Sequence, residues 1–258
     1  NNTTRKSMPV FFARRAVIEP MILQAFGKSL TEIETEIDAS LKPIVGAITN
    51  WTATGEASLL QTKTEVKNVV GILEGVGELK DETIVVGAHY DHLGYGGSGS
   101  LAPWTKEIHN GADDNSSGTS ALLEIAQQLA SRKTPSRRRI VFIAFSAEER
   151  GLIGSDRYVK EPLIALHKTI AMVNLDMVGR LTDNKLIVTG TGTSDVWEPL
   201  LDKLNETAKF EMTRKPEGVG PSDHQSFYLK DIPVLHLFTG LHEFYHRPSD
   251  DFKTINFE

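Results

Sequence analysis

Five short runs constrain the fold of this chain more than any other feature: VVGIL near Val69, ETIVVGAH ending at His89, RRIVFIAF ending at Phe145, TIAMVNLD ending at Asp176, and IPVLHLF near Leu235. They are rich in β-branched residues, and most lack the apolar/polar alternation of a strand with one wet face. Strands apolar on both sides must be covered on both sides, as in an α/β sheet. KLIVTGTG near Ile187 is a sixth candidate. Helical periodicity fills the gaps between them. SSGTSALLEIAQQLASR sets Leu122, Ile125, Ala126 and Leu129 on one face, with Ser116 or Ser117 as N-cap. SDVWEPLLDKLNETA does the same with Val196, Leu200, Leu201 and Leu204. Strands alternating with helices predict an α/β sandwich.

A chain of 258 residues suffices for one large domain, or for a domain with an appendage. Its net charge of −6 supplies no basic footprint for nucleic acid. No apolar run approaches the roughly 20 residues of a membrane-spanning helix. With no cysteine, disulfides and thiolate metal ligands are both excluded. The opening NNTTRKSMPV lacks the apolar core of a signal peptide, so a leader is expected to be either absent or already removed. TEIETEIDASLKP reads as an acidic amphipathic stretch, and GYGGSGSLAPW as an exposed loop.

The polar residues of interest follow the apolar runs. GAHYDHLG brings His89, Asp91 and His92; HNGADDNSSG brings His109, Asp113 and Asp114. FSAEERGLIG sets Glu148 and Glu149 side by side just past a core strand, and NLDMVG ends on Asp176. EFYHRPSDD adds Tyr245, His246 and Asp250 near the C-terminus. In open α/β sheets, ligands bind beyond the carboxyl ends of strands, where these residues fall. Imidazole and carboxylate without thiolate suit zinc in a catalytic site, and one carboxylate can bridge two ions. Buried adjacent glutamates also demand a cation.

In this order HYDHLG, NGADDNSSG, SAEERGLIGS, NLDMVG and YHRPSD resemble the signature of the di-zinc aminopeptidases of metallopeptidase family 28, including the bacterial leucyl aminopeptidases. The resemblance runs from about Asn68 to the end. It implies a three-layer sandwich with a mixed, largely parallel central sheet flanked by helices, the zinc-dependent exopeptidase fold, over residues 63–258. It also implies two Zn2+ ions per chain. Asp114 would bridge them, His89 and Asp176 would complete one site, and Glu149 and His246 the other. Asp91 would accept the second ring N–H of His89. Glu148 would be the general base towards a water held between the ions, and Tyr245 would steady the oxyanion.

The activity so implied is hydrolysis of the N-terminal peptide bond of a peptide substrate. Alternatives on the same scaffold are a single-zinc glutaminyl cyclase, a carboxypeptidase or dipeptidase, and a non-catalytic receptor-like domain. The family habit implies a secreted or periplasmic setting. Within residues 1–62, MPVFFARRAVIEPMILQAFG resembles the tail of a protease-associated domain. Relatives continue into a closing helix, whereas twelve residues follow His246, so a fragment or a short edge is expected. His92 and His109 are expected not to be ligands, and Asp113 to stabilise its loop. Asp250 is expected to buttress His246, while His167, His236 and His242 read as structural or surface residues. Asp223 and His224 in GPSDHQSF either shape the pocket from behind or stabilise their own loop.

Overall fold

A computed structural model of the chain describes residues 12–52, 54 and 63–257. NNTTRKSMPV and residues 55–62, where the expected boundary falls, lie outside the described residues. The chain separates into two compact units, Asn1–Lys63 and Thr64–Glu258. In the first, α1 (Arg15–Phe26) ends at Gly27, whose left-handed backbone (φ 66°) returns its N–H to Leu23. The acidic amphipathic stretch becomes α2 (Leu30–Ser40), opened by a capping box in which Ser29 and Glu32 satisfy each other's backbone N–H groups.

The second unit is built on one seven-stranded sheet. Its strands are β1 (Val69–Leu73), β2 (Thr83–His89), β3 (Arg139–Phe145), β4 (Thr169–Leu175), β5 (Lys185–Thr189), β6 (Glu211–Lys215) and β7 (Val234–Phe238). The spatial order is β1-β3-β2-β4-β7-β5-β6. The central strands β3, β2, β4 and β7 run parallel, while β1 opposes β3 and β5 opposes β7. The sheet is mixed and largely parallel, as expected. β6 was not expected: EMTRK has no apolar run, alternates exposed and half-buried residues, and is held at the edge by its parallel pairing with β5.

Side-chain alternation separates the two buried faces. Val85, Val141, Ile143, Phe145 and Met172 pack against α4 (Ile153–Lys160) and α6 (His224–Tyr228) through Tyr158, Val159 and Phe227. Their neighbours Val86, Ala88, Ile140, Phe142 and Leu175 face α3 (Gly118–Ala130), which contributes Leu122, Ile125, Ala126 and Leu129 as expected. α5 (Trp197–Ala208) differs from its expected face. Trp197 and Leu201 enter the core beside Leu186 and Val188, while Val196, Leu200 and Leu204 are exposed. The i,i+4 pair containing the large indole sets the rotation of that helix. Ser117 holds the N-cap position of α3 as expected, but its side chain makes no capping bond. Ser117 Oγ donates to the Asp113 carbonyl at 2.7 Å, and the Gly118 N–H is accepted by Asn115 Oδ1 at 3.0 Å.

Gly87 is a closely packed point of the core beneath the functional end of the sheet. A Cβ there would lie 2.5 Å from the Phe145 ring and 3.0 Å from Met172 Cε. Gly87→Ala should therefore destabilise the protein by about 1–3 kcal/mol through overpacking, read as a lower midpoint in chemical denaturation; an unchanged midpoint would contradict this packing.

Candidate metal centre

Adjacency in the sheet assembles the site. β3, β2 and β4 are parallel neighbours, so their carboxyl ends emerge together. His89 pairs with Phe145 and Gly87 with Asn174, which sets Ser146–Glu149 and Asp176 level with the His89 imidazole. The chain turns sharply at two of these exits, at Ala147 (φ 56°) and Met177 (φ 52°), and again at His246 (φ 54°) on the segment after β7; all three adopt left-handed backbone. Such conformations in residues other than glycine store strain and cluster where side chains must be aimed.

Two groups of donors share one carboxylate. His89 Nε2 lies 3.2 Å from Asp114 Oδ1 and 3.4 Å from Asp176 Oδ1. His246 Nε2 lies 3.2 Å from Asp114 Oδ2 and 3.3 Å from Glu149 Oε2. The two oxygens of Asp114 thus face opposite groups. All five residues named as metal ligands converge here, drawn from positions 89 to 246. His92 converges with them: its Nδ1 is 2.7 Å from Glu149 Oε1 and 3.9 Å from Asp114 Oδ2. His109 does not; it is buried among Ser100 and the Glu107 carbonyl.

The loop carrying Asp114 is clamped on every side. Asp250 is fully buried, and its carboxylate accepts the N–H groups of Asp113 (3.1 Å) and Asp114 (3.0 Å). This differs from the expected contact with His246, because orphan amide donors beneath the loop take both oxygens. Asp113 Oδ1 accepts the Gly179 N–H at 2.7 Å, so this aspartate stabilises loop structure as expected. Asn115 donates to the Leu175 carbonyl and accepts from Met177 N–H, locking the loop to the exit of β4. His242, expected to be structural or on the surface, stands with Nε2 3.3 Å from Asp113 Oδ2.

Backbone carbonyls orient the imidazoles of His89 and His246. His89 Nδ1 lies 3.0 Å from the Asp91 carbonyl, and His246 Nδ1 2.8 Å from the Gly99 carbonyl, so each Nδ1–H donates and each Nε2 faces the carboxylates. The partner of His89 is therefore the main chain of Asp91 rather than its carboxylate, which stands 3.9 Å away. That carboxylate instead accepts the Glu148 N–H at 3.1 Å, a nearer and otherwise unpartnered amide. The Gly-rich segment expected to be a plain loop also has a structural role, since Gly99 orients His246 and Leu101 N–H bonds its carbonyl. Ser222 Oγ donates to Asp176 Oδ2 at 2.6 Å and accepts from Asn174 at 2.7 Å. In GPSDHQSF it is thus the serine that touches a predicted ligand. Asp223 and His224 are fully buried, with the His224 ring stacked 4.5 Å from that of His236.

The electrostatics reflect crowded acids. Burial pushes the Glu148 carboxyl up to about 9; His89 opposes this, while Asp176, Asp223 and Glu149 add to it. Burial likewise lifts Asp223 to about 7. Burial disfavours a charged His89, but the carboxylates of Asp114 and Asp176 outweigh it and hold the ring well above its ordinary 6.5. His246 is raised in the same way by Asp114 and Glu149. Tyr245 stacks on His246 at 3.8 Å between ring centroids, and burial and the surrounding acids push its phenol up.

The donor set fits zinc. Ligand atoms about 2.0–2.1 Å from a tetrahedral zinc lie about 3.3 Å from one another. The four imidazole–carboxylate separations of 3.2–3.4 Å match that edge. His92 Nδ1 and Glu149 Oε1 are moreover buried without a hydrogen-bond partner, as atoms awaiting a cation would be.

Comparison with known proteins agrees. The family model described as Peptidase family M28 matches residues 68–258. The chain belongs to peptidase family M28. Among its relatives, "Aminopeptidase YwaD" of Bacillus subtilis (strain 168) is 34% identical over 212 residues, covering 76% of this chain and 42% of that protein. "Probable glutamate carboxypeptidase LAMP1" of Arabidopsis thaliana is 32% identical over 167 residues, covering 63% and 21%. The solved structure of a zinc aminopeptidase from Bacillus subtilis superposes with a TM-score of 0.58 at 33% identity, covering 73% of this chain and 45% of that one. The chain thus spans less than half the length of these relatives and shares the fold of the solved one.

A cation entering this centre would compete with protons for the same nitrogens. Because neighbouring carboxylates raise His89 and His246 above 6.5 in the cation-free protein, zinc binding there would displace their protons. Zinc affinity should rise with pH, and keep rising past 6.5 until the raised values are crossed. Calorimetric titration in buffers of different ionisation enthalpy should show proton release that shrinks as pH increases; uptake independent of pH would contradict it.

Proposed function

We propose that this chain is a zinc-dependent aminopeptidase that holds two ions and hydrolyses the N-terminal bond of a peptide. His89, Asp114 and Asp176 hold one ion; Asp114, Glu149 and His246 hold the other. The observation that carries this reading is the Asp114 carboxylate, which presents one oxygen to each imidazole–carboxylate group. When bound, the ions supply Lewis-acid polarisation of the scissile carbonyl and acidify water at the site.

The chain's own residues do the rest. Glu148 lines the cavity and is the unpaired member of its glutamate pair, its Oε2 4.0 Å from His89 Nε2. It takes a proton from the attacking water and returns it to the departing amine. Its high proton affinity without cations falls beside two dications, leaving it ionised and ready as a base. Asp91 positions this base through the Glu148 N–H. Tyr245 O–H, held against His246, donates to the developing oxyanion.

Substrate choice follows from the cavity of about 620 Å³ that opens on these residues. Ile187, Val219, Phe238 and Leu241 offer an apolar wall for a side chain, while Glu148 and Glu217 favour an α-ammonium group nearby. The same reading assigns residues 63–258 to catalysis, residues 1–62 to an accessory segment, and the protein to a secreted or periplasmic setting.

Glu148→Gln should retain two zinc ions per chain by elemental analysis and lose activity by about 100- to 10,000-fold. Glu149→Ala should lose metal as well. An active Glu148→Gln protein would remove the assigned base. With a panel of aminoacyl, N-blocked and C-terminally probed peptides, cleavage confined to free amino termini is expected; cleavage of N-blocked peptides alone would make the enzyme a carboxypeptidase.

A further inference from the structure

We infer that His92 is a sixth donor to the metal centre, binding through Nδ1 to the ion held by Asp114, Glu149 and His246. This rests on the two-ion reading above and makes the two positions unlike. The second would have two imidazoles and two carboxylates, a closed set of four. The first would have the three donors His89, Asp114 and Asp176, leaving a coordination position open.

The geometry is specific. His92, Glu149 and Asp114 have side chains 9%, 7% and 5% exposed, and an atom from each lies within 4.8 Å of the others. His92 Nδ1 approaches Glu149 Oε1 to 2.7 Å, yet neither atom makes a hydrogen bond. At that separation a ring N–H aimed at the oxygen would be one, so the ring plane points elsewhere. A lone pair on Nδ1 beside a carboxylate oxygen is repulsive unless a cation lies against both. No competing role consumes the ring, because His92 Nε2 is also buried without a partner. His92 meets His246 edge-to-face at 5.8 Å between centroids, which lets two imidazoles flank one ion without collision. Sequence spacing hid this donor, since His89 and Asp91 already account for the strand end three residues earlier.

A closed four-donor position binds more tightly than an open three-donor one, so the second position should fill first. The test uses the full chain, stripped by chelator and loaded with 113Cd after 15N-histidine labelling. One cadmium resonance should couple to two imidazoles, His246 Nε2 and His92 Nδ1, and the other to His89 Nε2 alone. One imidazole on each cadmium would overturn the inference while leaving the two-ion reading intact. Uptake of fewer than two cadmium ions would overturn both. In zinc titrations, His92→Ala and His92→Gln should each weaken one site by at least about 100-fold and spare the other, beyond what loss of an outer partner usually costs. Wild-type affinity in His92→Gln would reduce His92 to orienting Glu149 and reject the assignment. Should either variant fail to fold, the cadmium spectrum of the unmodified protein decides alone.

Discussion

Carboxylates concentrated at one buried edge are the constraint on which the rest of this structure depends. Asp114, Glu148, Glu149 and Asp176 meet there, with Asp91 and Asp223 close enough to add to the field. Anions withdrawn from water and set together are severely penalised unless cations or hydrogen-bond donors meet them. Protons supply a partial answer in the cation-free chain, which is why Glu148 and the two ligand imidazoles hold theirs so firmly. Divalent ions satisfy the same groups more completely, and the imidazole–carboxylate spacing already suits them.

The fold's contribution is to make this crowding unavoidable. Three adjacent parallel strands deliver His89, the glutamate pair and Asp176 to one end of the sheet. The remaining donors arrive on loops, and those loops are fixed by other acids that bind main-chain amides instead. In Asp113–Asp114 the first carboxylate holds Gly179 and the second faces both imidazoles. Asp250 closes the arrangement from below by accepting two amides of that same pair. Acids that saturate backbone donors are as necessary as acids that face the imidazoles, because they hold the donor atoms at the 3.2–3.4 Å spacing that suits a cation.

Much of this was legible in residue order. Apolar runs located six of the seven strands among the described residues, and the resemblance carried by the motifs between and after them implied the five donors that converge. β6 escaped because an edge strand with a wet face carries no buried run, only pairing to β5. The face of α5 was misjudged because Trp197 outweighs the leucines in choosing what to bury. Asp91 was expected to act on His89 through its carboxylate, but main-chain and side-chain acceptors look alike in a sequence, and the nearer Glu148 amide captured the side chain. His92 and the Gly99 carbonyl belong to the same class of surprise. Their partners, Glu149 and His246, lie far along the chain, and nothing local marks the contact.

The sequence by itself determined the layered α/β architecture, since periodicity and strand ends are local and survive in one dimension, and its ordered motifs carried the resemblance to family M28 that implied the five donors. Only the tertiary structure decided which atom of each residue does what: that Asp114 presents an oxygen to either side, that Asp250 serves backbone amides, and that His92 Nδ1 lies against Glu149. Those choices depend on distances of a few tenths of an ångström between segments separated by up to 157 positions, from His89 to His246. Spacing along a chain does not encode such distances; close packing does.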